Sequence, residues 1–224
     1  MMTRTTIASI ALALLCLAFA APDSGKADFM AMKEKYATAN AFSMELTVRM
    51  EPQGQRGDTY TAQGTVHKQD GYYRTQLDQV TTVVNGDCVV RVDDGNKTMV
   101  CTRQTEAQLQ QMDVASLAWP EGVEPRLVKR EGKRSFYTIP LQGHMITRME
   151  VELEQQELRR LTYYYAEEPG AQWGKVDIVY SNVRFDPGSS AKQFSLAPYI
   201  VKKGDQFQPT QGYAHYQFID QYSK

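Results

Sequence analysis

Few side chains in this chain have the type and spacing for chemistry. Three histidines, His67, His144 and His215, stand far apart, without the short spacing that puts two imidazoles on one metal ion. They read as surface or interface residues, and no metal or cofactor is expected. Glu150, Glu152 and Glu154 recur at period two and so share one face of a strand. A general acid–base pair needs one carboxyl held in a setting that shifts its proton affinity. The alternation with apolar neighbours instead gives these three the solvated face. Nucleophile elbows, zinc-ligand spacings, phosphate loops and dinucleotide fingerprints are absent from the sequence. No catalytic residue is expected, and a hydrolase of envelope substrates is the weakest of the readings. Asn96-Lys97-Thr98 is a glycosylation acceptor, meaningful only in a eukaryotic secretory pathway.

The remaining reactive pair is Cys88 and Cys101. With Asp94-Gly95 as a two-residue hairpin turn, Cys88 faces Cys101 across the ladder at a non-hydrogen-bonded site. Cα atoms approach to about 4.5 Å there, within reach of a disulfide. Val90, Val92 and Met99 share that face. A disulfide closing so short a loop would be structural, contributing about 2–3 kcal/mol. Two reduced core cysteines are the alternative, and the compartment decides between them.

The compartment is written in residues 1–20. Arg4 precedes an apolar run from Ile7 to Leu17 that ends in Ala18-Phe19-Ala20, a secretory signal pattern cleaved near Ala20/Ala21. The run is too short to cross a bilayer, and no later stretch is long enough. Cys16 follows Leu15 and Ala13 rather than the small residue and leucine of a lipid-attachment site, so export to the periplasm without an anchor is expected. Removing residues 1–20 takes away one cation and no acid, leaving 24 Lys+Arg against 26 Asp+Glu. A net charge of −2 argues against nucleic acid as a partner.

These residues must be held by elements the pattern also shows. Phe29, Met32, Tyr36 and Ala39 make one apolar stripe and predict a helix over 27–40. From Phe42 the period changes to two: Phe42, Met44, Leu46, Val48 and Met50 alternate with polar residues. Further strands are predicted over 59–68, 72–84 (one or two), 87–93, 96–103, 126–131, 134–141, 144–154, 157–167 and 173–185. Asp70-Gly71, Asn85-Gly86, Asp94-Gly95, Glu131-Gly132 and Gln155-Gln156 mark turns. Residues 105–119, with Leu109 and Met112, predict a second amphipathic helix stopped by Pro120. The sum is a mainly β, α+β chain. About ten antiparallel strands in meander order make a highly curved sheet, covered by the two helices.

Two surface features carry a bland and a sharp reading. Arg126, Lys129, Arg130, Lys133 and Arg134 are a solvated hairpin, or a docking patch for an acidic partner or anionic headgroups. The apolar faces hold Met32, Met44, Met50, Met99, Met112, Met145 and Met149, which are core filler or an adaptable lining for apolar ligands. Residues 189–224 are rich in aromatics and are expected to pack along an edge or rim.

The order of parts resembles the LolA/LolB-like superfamily. The resemblance rests on the signal peptide, the first helix, Phe42-Ser43-Met44-Glu45-Leu46, Gly64-Thr65-Val66 and the Asp70-Gly71-Tyr72-Tyr73-Arg74 strand. It continues through the Asp93–Lys97 hairpin, the inserted helix and the late run from Lys175 to Pro198. It implies an incomplete barrel of residues 21–200 plugged by helices, followed by a C-terminal extension. It also implies a monomeric periplasmic carrier of lipoprotein acyl chains or another lipid. On that reading Met44, Leu46, Val48, Val66, Val90, Met99, Met149 and Val151 line the cavity. Phe29, Met32, Tyr36, Leu109 and Met112 form the lid. The chain departs from the carriers in lacking their Arg-Pro in the strand around Tyr72–Leu77 and in the aromatic extension. The alternative is a non-catalytic envelope module with a packed core that docks a protein partner.

Overall fold

The computed structural model describes residues 24–54, 57–86, 88–105, 123–141, 145–168, 172–188 and 190–222. Residues 1–20, the expected helix with Leu109 and Met112, and His144 lie outside them. Helix α1 (Ser24–Thr38) leads directly into β1 (Ala41–Pro52). Then come β2 (Tyr60–Gln69), β3 (Tyr72–Leu77), β4 (Val80–Asn85), β5 (Cys88–Asp93) and β6 (Thr98–Arg103). The second run is β7 (Arg126–Glu131), β8 (Arg134–Pro140), β9 (Ile146–Glu154), β10 (Glu157–Tyr165) and β11 (Trp173–Phe185). A C-terminal segment adds β12 (Ile200–Lys203), β13 (Gln206–Pro209) and β14 (Gln217–Asp220), with short 3-10 turns at Ala191–Phe194 and Gln211–Tyr213.

Turn chemistry sets the hairpins. Asp70 and Gly71 both take positive φ, 51° and 82°, the left-handed pair a tight two-residue turn requires. Gln155 and Gln156 do the same without glycine. Asp78, also at positive φ, divides the expected 72–84 stretch into β3 and β4.

Twelve strands form one open sheet in the order β14-β6-β5-β4-β3-β2-β1-β11-β10-β9-β8-β7. The expected single meander is therefore corrected. Two antiparallel meanders, β1–β6 and β7–β11, meet at the β1–β11 pair, which runs from Phe42↔Phe185 to Pro52↔Trp173. Residues 104–125 join the two meanders, so β6 and β7 lie at opposite ends rather than side by side. The physical reason is length: β1 and β11 are the longest strands and satisfy each other's backbone groups over nearly their whole extent.

A second correction concerns the β5–β6 hairpin. Its loop is Asp94–Lys97, not Asp94-Gly95 alone, because the Asp93 carboxylate accepts from the Asn96 backbone N–H (2.9 Å) and side-chain amide (2.8 Å). Lys97 then takes φ 52° and Asp93 pairs with Thr98. Cys101 consequently faces Val90, and Cys88 faces Arg103. A two-residue shift leaves both cysteines on the same face, since side chains alternate with period two.

Residues directly paired across a sheet share a face, so the registers trace two surfaces. One runs Met44↔Val66↔Thr75↔Thr82↔Arg91↔Val100 and carries α1. The reverse runs Ser43↔His67↔Arg74↔Val83↔Val90↔Cys101. Over β4–β6 this reverse face is apolar and is covered by residues 190–222, a C-terminal strap. Tyr199, Ile200, Leu196, Phe207, Tyr213 and Phe218 pack there on Val83, Val90, Val92 and Met99. β14 continues the sheet by pairing parallel to β6.

Candidate apolar binding face

The site begins with the α1 stripe. Phe29, Met32 and Tyr36, at i, i+3 and i+7, are buried to within 1 % of full enclosure. Burying each contributes about 1.5–3 kcal/mol of transfer free energy. They seat on Phe42, Met44 and Val66 of the first meander and on Tyr137, Ile139, Met149, Val151, Leu153, Leu158 and Leu161 of the second. Edge-on ring contacts fix the fit: Phe29 to Tyr137 at 5.0 Å, Tyr36 to Phe42 at 5.5 Å and to Phe185 at 5.2 Å.

The polar ties of the helix sit mostly at its margin. Lys35 pairs with Glu157 at 2.9 Å, Arg130 with Asp28 at 2.9 Å, and the Tyr137 hydroxyl donates to Asp28. At the C-terminal end, buried Lys68 donates to the Tyr36 carbonyl at 3.3 Å. A cation there complements the exposed carbonyls of the last turn. Its ammonium also lies 5.6 Å from the Phe42 ring and 5.8 Å from that of Tyr73.

The same face continues past α1. Val48, Ala62 and Val176 form a second buried group bordered by Met50, Leu77, Tyr165 and Trp173. Leu46, Tyr163 and Ile178 belong to both groups, so the lining is continuous. Three phenols lie along it. Burial pushes Tyr36 and Tyr163 up to about 12. Burial also raises Tyr180, with Tyr163 and Tyr36 each adding to the cost of a charge on it. Among the described residues the lining is therefore uncharged apart from Lys68 at its rim, polarizable through its methionines, and carries neutral hydroxyls.

Of the residues predicted to line a cavity or lid, Phe29, Met32, Tyr36, Met44, Leu46, Val48, Val66, Met149 and Val151 come together here. Val90 and Met99 do not. They lie on the reverse face beneath the strap, because the register from Val66 onward places the opposite parity of β5 and β6 toward α1. Leu109 and Met112 lie outside the described residues. Met145 is 69 % exposed and takes no part. Tyr137, Ile139, Leu158 and Leu161 escaped the sequence reading of the site. The signal for them was the phase of alternation in β8 and β10.

The glutamate row faces away from this surface. Glu150, Glu152 and Glu154 pair with Arg148 (3.4 Å), Arg134 (3.2 Å) and Arg159 (2.9 Å). Glu150 and Glu152 border a groove of about 290 Å³ on the reverse side of β8–β11, where Thr162 donates to Asp177 at 2.6 Å. Its carboxylates are engaged as ion-pair and hydrogen-bond partners. His67 is half-buried on the reverse face, where burial and then Arg74 push its pKa below the usual imidazole value. His215 packs on Tyr216 at 4.8 Å. Among the described residues no group of three or more His, Cys, Asp or Glu could hold a metal ion, and no helix is long and apolar enough to cross a membrane.

No protein-family profile and no curated protein matches this sequence. Solved structures do match. An uncharacterized conserved protein from Thermus thermophilus is similar over 88 % of this chain and 99 % of its own, with 12 % identity and a TM-score of 0.50. That likeness is one of fold. A LolA superfamily protein from Nitrosomonas europaea is similar over 76 % of this chain and 97 % of its own, at 9 % identity and a TM-score of 0.33. The Pseudomonas aeruginosa MucA/MucB complex matches over 84 % of this chain and 63 % of that one, at 13 % identity and a TM-score of 0.40.

Proposed function

We propose that this chain is an exported carrier or binding protein of LolA-like character. It would shield an apolar chain, lipoprotein acyl groups or another lipid, between α1 and the face of the sheet that α1 covers. The observation that carries this is the seat of α1. One short helix, joined to β1 through residues 39–40 only, closes a continuous apolar face lined by Met44, Met149, Leu46 and Tyr163. Methionine adapts to varied apolar shapes, and the neutral phenols add hydrogen-bonding capacity without the cost of a charge.

The energetics follow from burial. Each methylene moved from water to this face contributes about 0.8 kcal/mol, so an acyl chain can replace the contacts that α1 makes. Delivery requires α1 to move or a partner to compete, because a ligand shifts an equilibrium only by its differential affinity for the two states. The competing reading is a packed module that docks a protein partner through its aromatic tail or its basic hairpin; the tail packs on the chain itself, which leaves the Arg126–Arg134 hairpin as the docking element of that reading.

The test is to purify the protein from a host that exports it, extract it and analyse the extract by lipid mass spectrometry. In parallel, the delipidated protein is titrated with an apolar fluorophore. Co-purifying lipid and saturable uptake are expected. A lipid-free extract together with no uptake overturns the proposal.

A further inference from the structure

Beneath the strap lies a pair of groups that lipid binding does not use. The sulfurs of Cys88 and Cys101 are 3.4 Å apart. Both side chains are buried, on the same face of adjacent strands, two residues off direct opposition. The other cysteine in the chain, Cys16, lies within residues 1–20, so the pair has no competitor once that segment is removed.

The strap closes over them. β14 pairs with β6 so that Asp220 stands beside Cys101, and the Gln221 N–H donates to the Cys101 carbonyl at 2.8 Å. Tyr199, Ile200, Phe207 and Phe218 pack into the cluster that holds both sulfurs. Hydrogen bonding to Cys88 and then burial push the Cys101 thiol well above its ordinary range. Thiolate is the species that attacks disulfides, so the pair is a poor nucleophile once enclosed.

We propose that Cys88 and Cys101 form a disulfide during folding, before the strap docks, and that strap docking then seals it. The oxidant is a disulfide of the exporting compartment, either an oxidoreductase or a small molecule. One cysteine thiolate attacks a sulfur of R–S–S–R, forming a mixed disulfide and releasing R–S⁻. The second thiolate attacks the first protein sulfur and releases the other R–S⁻. The two protons given up by the protein end on two R–SH molecules, and two electrons pass from the protein sulfurs to the oxidant. Closing the bond needs the sulfurs to move from 3.4 Å to about 2.05 Å.

The experiment uses the exported full chain, unfolded in acid without reductant and treated with a thiol-alkylating reagent before mass analysis. The expected result is a chain lighter by two hydrogen atoms, unalkylated, with a Cys88–Cys101 cross-linked peptide that disappears on reduction. Alkylation of both cysteines overturns the proposal. Sealing is tested separately on reduced, folded protein exposed to glutathione disulfide. The full-length Phe218→Asp variant, with a loosened strap, is expected to oxidise at least about tenfold faster than the parent. Should that variant not fold, the parent in mild urea serves as the comparison. Equal rates overturn the sealing step. Neither arm depends on whether lipid binds.

Discussion

The assignment of Val90 to the reverse face makes a prediction that separates two arrangements of this sheet. Val90 and Met44 are both essentially inaccessible, at 0 % and 2 % exposure. They lie on opposite sides, Val90 against Tyr199 and Ile200 of the strap, Met44 against α1. Val90→Ala removes two methyl groups from a packed site, at about 0.8 kcal/mol each plus the void left behind, or roughly 1.5–3 kcal/mol in total. Met44→Ala removes a longer side chain and is expected to cost about 2–5 kcal/mol. Urea unfolding measures both losses, and each is expected to appear in the midpoint with the slope unchanged. Ligand uptake distinguishes them. Fluorophore affinity of the Val90→Ala variant is expected to stay within about twofold of the parent, since the change does not reach the lining. Met44→Ala is expected to change it by about tenfold or more, since losing two methylene-sized contacts at about 0.8 kcal/mol each already exceeds the roughly 1.4 kcal/mol of a tenfold change. An affinity change in Val90→Ala as large as in Met44→Ala refutes the face assignment and with it the division of the sheet.

Two further outcomes test the packing. Tyr36 and Tyr163 are held protonated up to about pH 12, against an ordinary phenol near 10. Their folded pKa lies above the unfolded one, so this stability is complete below pH 10 and is lost as pH rises toward 12, by about 2–3 kcal/mol for each phenol. Phenolate absorbance, taken as the difference between the parent and its Tyr36→Phe or Tyr163→Phe variant, should show each of these two titrating together with unfolding; reversible ionisation of either one near pH 10 in the folded protein refutes its burial. Gly64 in β2 has no room for a side chain, because a Cβ there would lie 2.3 Å from the Gln76 carbonyl oxygen and 3.2 Å from Leu77 Cα, both backbone atoms of β3. Gly64→Ala is therefore expected to cost about 1–3 kcal/mol by thermal unfolding, and a neutral change would show that β3 can yield.

Much of this was legible locally. The strict alternation of β1, the α1 stripe and the Asp70-Gly71 turn each follow from neighbouring residues, and each stands as expected. What escaped depends on parity carried across several turns. Between Val66 and Val90 the chain makes three, at Asp70-Gly71, Leu77–Val80 and Asn85–Cys88, and one residue more or less in any of them reverses every later side chain. Residues 80–84 and 88–92 give no internal correction, because they are apolar on both faces: Val84 and Val89 form one buried group, Val83 and Val90 another. A strand buried on both sides loses the alternation that would say which side is in. Its second cover is the strap, a hundred residues further along the chain, and no short-range pattern connects the two.

The two covers also differ in how they are held. The strap is fixed by directional bonds: Asn85 donates to the Phe194 carbonyl at 2.7 Å, Arg74 to the Gln193 carbonyl and the Tyr199 hydroxyl, and β14 adds ladder bonds along β6. Helix α1 is held chiefly by apolar contact, with its ion pairs at partly exposed margins where such pairs contribute little. Apolar contact is non-directional, so another apolar body of similar shape can take it over at small net cost, whereas a displaced strap would leave buried carbonyls unpartnered. On the proposed carrier reading, this asymmetry makes the strap half of the sheet the fixed wall and the α1 half the place where contacts are exchanged for those of a ligand.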